Sequence, residues 1–177
     1  LIKTLIIFLF ALVLGLITGL GRISKVWWIN ALASTYVEVV RGIPLLVQLF
    51  YIYYALAKFI KVPDIMAAVI GMTICYGAYI GEIFRAGILS VPRGQMEAAL
   101  ALGLSRSQAL RKVILPQTAR IILPPLGNEF LALLKDSSLV SILAVADLLR
   151  RGREYASTTF NYFEAYTIVA LIYLVLT

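Results

Sequence analysis

The sequence has no histidine and a single cysteine among its 177 residues. Without histidine it can form neither a Ser-His nucleophile pair nor a zinc site with imidazole ligands. The lone thiol of Cys75 excludes an internal disulfide and any multi-cysteine metal site, and its apolar surroundings predict a buried residue. No phosphate-binding loop of the G-x-x-x-x-G-K-[ST] type is present. We therefore expect no catalytic centre, metal or cofactor on this chain.

Charge is also scarce, because charged residues make up 14% of the sequence while hydrophobic residues make up 62%. Soluble domains are nearer to 25% charged. The apolar runs predict an all-α integral membrane protein with one domain, residues 1–177, and five transmembrane helices. We interpret the first run as a span rather than a secretory leader, since Lys3 is its only charge and no cleavage-like site follows. The predicted spans are about 1–20, 42–57, 65–85, 113–135 and 163–177.

The formal charge of +7 is interpreted through the connections between these spans. Lys and Arg number seven in the first and third connections, 21–41 and 89–112, and five in the second and fourth, which predicts that the first and third face the cytoplasm. The fourth connection begins with an apolar stretch, 137–146, that is too short to span and suggests a re-entrant or interfacial segment. A basic helix with Arg150, Arg151 and Arg153 should follow it.

The third connection contains the most informative segment, residues 91–116. Its pattern predicts two short helices joined at Gly103, which can adopt a left-handed cap without a Cβ penalty. Ser105 and Gln108 have the spacing of a capping box at the start of the second helix. One interpretation is an amphipathic helix pair resting on anionic lipid. The other, which we prefer, is a docking surface for a soluble partner.

Glu97-Ala98-Ala99, Gly103 and Val113-Ile114-Leu115-Pro116 resemble the EAA loop of ATP-binding-cassette (ABC) importer permeases, although the family more often has Ile where Val113 stands. Further segments, in the family's order, resemble its polar amino-acid branch. These are Glu38-Val-Val-Arg-Gly-Ile-Pro-Leu-Leu-Val-Gln-Leu-Phe50, Gly77-Ala-Tyr-Ile-Gly-Glu-Ile-Phe-Arg85, Gly127-Asn-Glu-Phe130 and Leu134-Lys-Asp-Ser-Ser-Leu139. The similarity extends over nearly the whole chain.

The resemblance implies a type I importer fold that works by alternating access in a prokaryotic inner membrane. It implies a second permease, either another copy or a paralogue, and two cytoplasmic ATPase subunits that bind ATP and Mg. It also implies an extracytoplasmic binding protein that delivers an amino acid. Carried onto this chain, the ATPase-coupling residues are Glu97, Ala98, Ala99, Gly103, Leu104 and Ser105.

The fourth predicted span contains the main candidates for substrate binding. Pro124 and Pro125 each lack a backbone donor, so we expect the helix to break or kink there. Counted from Leu115 at the cytoplasmic boundary, Glu129 should lie about 20 Å deep in the membrane. A charge at that depth should face a cavity or a partner. We predict that Asn128 and Glu129 line the substrate pocket, the alternative being a structural ion pair of Glu129 with Arg85 or Lys135.

Two residues of the third span complete the predicted substrate set. Tyr79 and Glu82 share one helical face and could line the cavity, although Glu82 also has the spacing for a gate or an ion pair with Arg85. Lys135 and Asp136 are placed at the outer end of the fourth span, with a structural role preferred over contact with the substrate. The three arginines of the outer basic helix, Arg150, Arg151 and Arg153, could dock the binding protein.

The preferred prediction is a permease subunit of an ATP-driven, binding-protein-dependent importer of polar amino acids, especially the basic ones, arginine, lysine and histidine. A glutamine or glutamate importer of the same family is the nearer alternative. An ion-gradient-driven secondary transporter is the more distant one, with Glu129 as its proton or sodium site and no partner for the 91–116 loop. Binding of an ATPase to that loop would favour an importer of either substrate class over the secondary transporter.

Overall fold

The computed structural model describes residues 1–59, 63–143 and 145–177, and its regular elements in these ranges are helical. The all-α prediction is therefore confirmed. The α-helices are α1 (Ile2–Arg22), α2 (Trp27–Gly42), α3 (Leu45–Phe59), α4 (Asp64–Leu89), α5 (Arg93–Ala101), α6 (Arg106–Ala109), α7 (Leu115–Asp136), α8 (Leu148–Thr159) and α9 (Tyr162–Leu176). A π-helical turn, Leu110–Ile114, joins α6 to α7, and a 3₁₀ helix, Ser137–Leu143, follows α7.

Helices α1 and α4 form the central pair of the fold and run in the same direction. Glycines four residues apart on each helix, Gly15 and Gly19 on α1 and Gly77 and Gly81 on α4, let the two backbones approach closely. A Cβ atom added at Gly81 would lie 2.4 Å from Oγ1 of Thr18 and 3.3 Å from the carbonyl oxygen of Gly15. Small residues in this spacing allow tight helix packing where lipid removes the hydrophobic drive for association.

Most of the predicted connection 21–41 forms α2, a helix that was not predicted. This helix packs across α1 and α4, and the Tyr36 hydroxyl donates a hydrogen bond to the Ile74 carbonyl. Its polar residues lowered the local hydropathy and hid the amphipathic helix. Near Pro44 the chain bends by 110° into the apolar part of α3, Leu45–Ala55, so that the two helices form a broken span or a re-entrant pair.

Buried Gln48 stabilises that bend. Its Nε2 donates hydrogen bonds to the carbonyl oxygens of Val40 and Ile43, which the end of α2 leaves without helical partners. Its Oε1 accepts a hydrogen bond from Sγ of Cys75 on α4 at 2.6 Å. The prediction that Cys75 is buried is confirmed, since the residue is 1% exposed.

Helix α4 is about 39 Å long, more than the ~30 Å hydrocarbon core requires, and Tyr76 lies at its midpoint. The Tyr76 hydroxyl donates to Oδ2 of Asp136 at 2.7 Å. The expected position of Asp136 at the outer end of the fourth span is therefore wrong. Helix α7 ends near mid-depth, and the 3₁₀ helix continues outward, burying Val140 and Leu143 in the core. Residues 137–143 of the stretch predicted to be re-entrant or interfacial thus form a 3₁₀ helix that packs into the core.

By length and composition, α1 and α4 can each cross a membrane, and the bent α2–α3 pair counts as a third crossing if it is one span. Among the described residues, fewer helices are long and apolar enough to cross a membrane than the five that were predicted. Helix α7 contains Arg120, Glu129, Lys135 and Asp136, and α9 has 15 residues, so both fall short by these criteria. Their apolar faces and their place in the fold are nevertheless those of membrane helices.

Candidate functional site

The segment 91–116 folds as its pattern predicts. Helix α5 ends just before Gly103, which has φ +82° and open space around its Cα, so a left-handed turn costs little there. Ser105 then caps α6: its Oγ accepts a hydrogen bond from the Gln108 amide, while Oε1 of Gln108 accepts one from the Ser105 amide. The helix-Gly-helix geometry and the capping box are confirmed.

The predicted coupling residues fall into two groups. Glu97, Ala98, Gly103 and Ser105 are exposed and can face a partner, and Leu104 is half-buried. Ala99 is buried, and its carbonyl accepts a hydrogen bond from the Leu104 amide, so its role is to close the turn. Sequence reasoning missed Leu102, which is 84% exposed and supplies apolar surface at the tip of the loop.

The loop is joined to the membrane region without a break. The π-helical turn Leu110–Ile114 continues α6 into α7, and the Leu115 amide donates to the Leu110 carbonyl, one residue further back than in an α-helix. Pro116 contributes no donor at this point. On the other side, Nε2 of Gln117 donates to Oε1 of Gln95 at 3.1 Å, which ties the start of α7 to α5. Residues 106–136 therefore form one helical rod.

Glu82, a predicted substrate residue, is held by two arginines. Its carboxylate accepts hydrogen bonds from Arg85 one turn later on α4, at 2.6 and 2.9 Å, and forms an ion pair with Arg22 at the end of α1. Arg22 also lies 3.6 Å from Glu38 on α2. The predicted Glu82–Arg85 pair is confirmed, and the cluster joins α1, α2 and α4 near the cytoplasmic side.

Glu129 and Asn128, the main substrate candidates, have no ion-pair or hydrogen-bond partner among the described residues. The proposed alternative partners do not reach Glu129: Arg85 binds Glu82, and Lys135 is exposed. Asn128 is exposed and Glu129 is half-buried. Two uncompensated polar side chains within a membrane helix indicate a surface that meets water, a substrate or another subunit.

The depth predicted for Glu129 needs correction, because α7 begins beside the cytoplasmic loop and not at the edge of the hydrocarbon. Ile122 contacts the Gly87 position, about 16 Å along α4 from Tyr76, while Asp136 bonds to Tyr76 itself. Glu129 lies midway between Ile122 and Asp136 and therefore about 8 Å to the cytoplasmic side of mid-depth. It remains within the hydrocarbon layer.

The same correction explains why the proline pair does not break α7, which runs without interruption through Pro124 and Pro125. Of the break or kink expected there, the break is wrong. The two prolines lie close to the inner boundary of the hydrocarbon, and the carbonyls that they leave without partners belong to Arg120 and Ile121, which are exposed. Water can satisfy carbonyls at that level.

Tyr79 is 36% exposed and is accompanied by residues that sequence reasoning did not assign to the site. The guanidinium carbon of Arg41, at the end of α2, lies 5.4 Å from the centroid of the Tyr79 ring. The rings of Tyr76 and Tyr79 are 6.3 Å apart, and Tyr76 leads to Asp136. Glu129 lies about two turns before Asp136 and therefore on the same face of α7. Three elements, α2, α4 and α7, thus bring one cation, two carboxylates and two phenol rings together.

Comparison with known proteins agrees with this architecture. Residues 11–177 match the family described as binding-protein-dependent transport system inner membrane component. The chain belongs to this family. It is 43% identical over 173 residues to a probable amino-acid permease protein, YxeN, of Bacillus subtilis (strain 168), covering 96% of this chain and 77% of that protein. It is also 43% identical over 169 residues to the glutamine transport system permease protein GlnP of Escherichia coli (strain K12), covering 94% and 77%.

A crystal structure described as an amino acid ABC transporter with histidines superposes on this permease with a TM-score of 0.91. The two chains are 44% identical, and the match covers 98% of this chain and 82% of the other. The predicted type I importer fold and the assignment to the amino-acid branch of ABC permeases are confirmed. The chain is a transport subunit rather than an enzyme. The ion-gradient-driven alternative has no support in this family.

Proposed function

We propose that this permease carries basic amino acids, and that Glu129 binds their cationic side chain. The observation that supports this is the state of Glu129: a half-buried carboxylate in a membrane helix with no ion-pair partner among the described residues. An unpaired carboxylate in such a layer is costly, with insertion scales giving on the order of 2.5–3.5 kcal/mol near the centre. A guanidinium, ammonium or imidazolium group would offset that cost during passage.

Histidine, as named for the related crystal structure, belongs to the same substrate class. Glutamine is the second candidate, because GlnP is a glutamine permease with 43% identity and because the exposed amide of Asn128 beside Glu129 suits a neutral amide side chain. The two candidates differ in one chemical respect. A basic substrate needs the negative charge of Glu129, whereas glutamine needs only hydrogen-bonding groups.

The remaining parts of the transport system follow from the exposed coupling loop. In the proposed assembly, two cytoplasmic ATPase subunits bind ATP and Mg, and Glu97, Ala98 and the Gly103 turn contact them. A second permease, identical or paralogous, covers the open face of α7, and an extracytoplasmic binding protein delivers the substrate. The site of action is the inner membrane of a prokaryote. Closure of the ATPases moves the loops and alternates the access of the substrate face.

The test is Glu129→Gln, which keeps the size of the side chain and removes its charge. Uptake of arginine, lysine and glutamine is measured competitively in vesicles that contain the whole importer. Loss of a charged hydrogen bond costs about 1.5–3 kcal/mol, so the preference for arginine over glutamine should fall roughly 10- to 100-fold. Glu164→Gln, which neutralises an exposed carboxylate at the start of α9, is the matched control and should leave the preference unchanged. An unchanged preference in Glu129→Gln would contradict the proposed role.

A further inference from the structure

Arg41 is a cation without an anionic partner at hydrogen-bonding distance. It is exposed at the end of α2, and no carboxylate of the described residues lies within 4.0 Å of it. Its guanidinium instead lies over the Tyr79 ring, which is itself partly open. A ring face attracts a cation but leaves the planar fork of N–H donors free, and that fork suits bidentate binding of a carboxylate.

The position of Arg41 is fixed by its surroundings. Gln48 binds the carbonyls of Val40 and Ile43 on either side of it, and Tyr36, more than one turn earlier, binds the backbone of α4. The guanidinium is therefore presented from a rigid helix end rather than from a loose loop. A binding group that is held in place before the ligand arrives loses less entropy when it binds.

The unpaired carboxylate of Glu129 lies on α7, about two turns before Asp136 and therefore on the same helical face. Asp136 bonds to Tyr76, whose ring is 6.3 Å from the Tyr79 ring that Arg41 covers. Arg41 and Glu129 are not within the 4.0 Å of an ion pair, so neither neutralises the other. An unpaired cation and an unpaired anion on neighbouring helices match the two charges of an amino acid, whose carboxylate is negative and whose amine and basic side chain are positive. The aromatic rings of Tyr76 and Tyr79 border the same face.

We propose that Arg41 binds the α-carboxylate of the transported amino acid, while Glu129 receives the cationic end. This inference rests on the proposed function in one respect, that an amino acid passes this face. It does not depend on whether the side chain is basic, because every amino acid carries the α-carboxylate. Arg41 is thus a specificity residue for the amino-acid backbone.

The other cations near this face are less suited to the task. Arg22 and Arg85 are occupied by Glu82. Arg120 precedes Ile122, which already lies about 16 Å from mid-depth, so it is outside the hydrocarbon layer. Lys135 is exposed near mid-depth, but it lies six residues beyond Glu129 on the same helix, about 120° away around the helix axis. Lys135 therefore serves as the competing assignment in the experiment.

The experiment measures binding to the permease–ATPase complex in lipid nanodiscs, without the binding protein, so that only the membrane site is probed. The ligands are L-arginine and L-argininamide, and L-glutamine and L-glutaminamide, in which the amide removes the negative charge of the carboxylate. The quantity scored is the ratio of acid to amide affinity within each pair. In the unmodified complex we expect the acid to bind roughly 10- to 100-fold more tightly than the amide.

Arg41→Gln should reduce that ratio to near one by weakening binding of the acid and leaving binding of the amide almost unchanged. Arg41→Lys should retain part of the ratio, because it keeps the charge and loses the bidentate fork. Lys25→Gln removes an exposed positive charge between α1 and α2 and should keep the full ratio. If Arg41 had only a structural role, Arg41→Gln would weaken binding of the acid and of the amide equally.

The inference is overturned if Arg41→Gln keeps the acid-to-amide ratio of the unmodified complex, or if Lys135→Gln abolishes it. These outcomes differ from failure of basic-substrate selectivity, which is scored between arginine and glutamine in Glu129→Gln. A complex that binds glutamine but not arginine would contradict the proposed preference for basic amino acids. Arg41 would still be tested by the affinities of L-glutamine and L-glutaminamide. Absence of saturable binding of both amino acids would contradict the two proposals together.

Discussion

Replacement of Gly81 by alanine should disrupt the contact between α1 and α4. The new Cβ would lie 2.4 Å from Oγ1 of Thr18 and 3.3 Å from the backbone carbonyl oxygen of Gly15. Thr18 is buried and already bonds to the carbonyls of Leu14 and Gly15, so rotating it away sacrifices a hydrogen bond of about 0.5–1.5 kcal/mol. Overpacking adds about 1–3 kcal/mol, because the carbonyl of Gly15 cannot move without the helix. The expected destabilisation is roughly 2–4 kcal/mol.

The assay is thermal unfolding of the purified complex, with Gly127→Ala as the matched control. Gly127 also lies inside a helix, but a Cβ there meets nothing within 4 Å, so alanine should be neutral or stabilise by about 0.5–1 kcal/mol. At about 2–4 °C per kcal/mol, Gly81→Ala should lower the melting temperature by roughly 5–15 °C. Equal melting temperatures for the two variants would refute the view that glycine spacing sets the distance between α1 and α4.

Burial raises the pKa of the Asp147 carboxyl, whose Oδ2 has no hydrogen-bond partner among the described residues. The folded state therefore holds the proton more tightly than the unfolded chain does. The free energy of unfolding should fall as the pH rises from the ordinary pKa toward the raised one. Asp147→Asn, which can still cap the Arg150 amide, should therefore raise the melting temperature at about pH 7 and much less at about pH 4; a gain independent of pH would contradict this. Deletion of Lys112 should convert the π-helical turn to α-helix and rotate α6 by about 100° relative to α7. The deletion variant should lose transport while the ATPase still copurifies with it. The control, Lys112→Ala, should transport normally. Full transport by the deletion variant would exclude a role for the π-helical turn.

The fold of segment 91–116 could be predicted from sequence because its signals are local. A capping box needs only Ser105 and Gln108, and a left-handed helix end needs only Gly103 in the right place. Both survive folding because the loop lies outside the membrane and few tertiary contacts compete with it. The π-helical turn was not predicted, since an extra residue in a helix leaves no mark in composition or periodicity.

The substrate face was predicted only in part, because it is assembled from three helices. Asn128 and Glu129 are polar residues in an apolar span and could be found by that contrast. Arg41 was counted as a loop charge, since hydropathy does not reveal that α2 returns to the membrane. The depth of Glu129 was overestimated because the count of depth began at Leu115, which lies beside the cytoplasmic loop. Membrane depth depends on contacts between helices, and a single sequence does not contain them.

Glu129 and Arg41, the two charged residues proposed to bind the substrate, lie on helices that contact different parts of the protein. Glu129 lies on α7, which is continuous with the coupling loop through residues 106–115 and is tied to α5 by Gln117. Arg41 lies on α2, which Tyr36 anchors to α4. On the proposed function, we expect a displacement of the loop to reach Glu129 along the helical rod and Arg41 less directly. If such a movement widens the gap between the two residues, a ligand held by both charges should lose affinity.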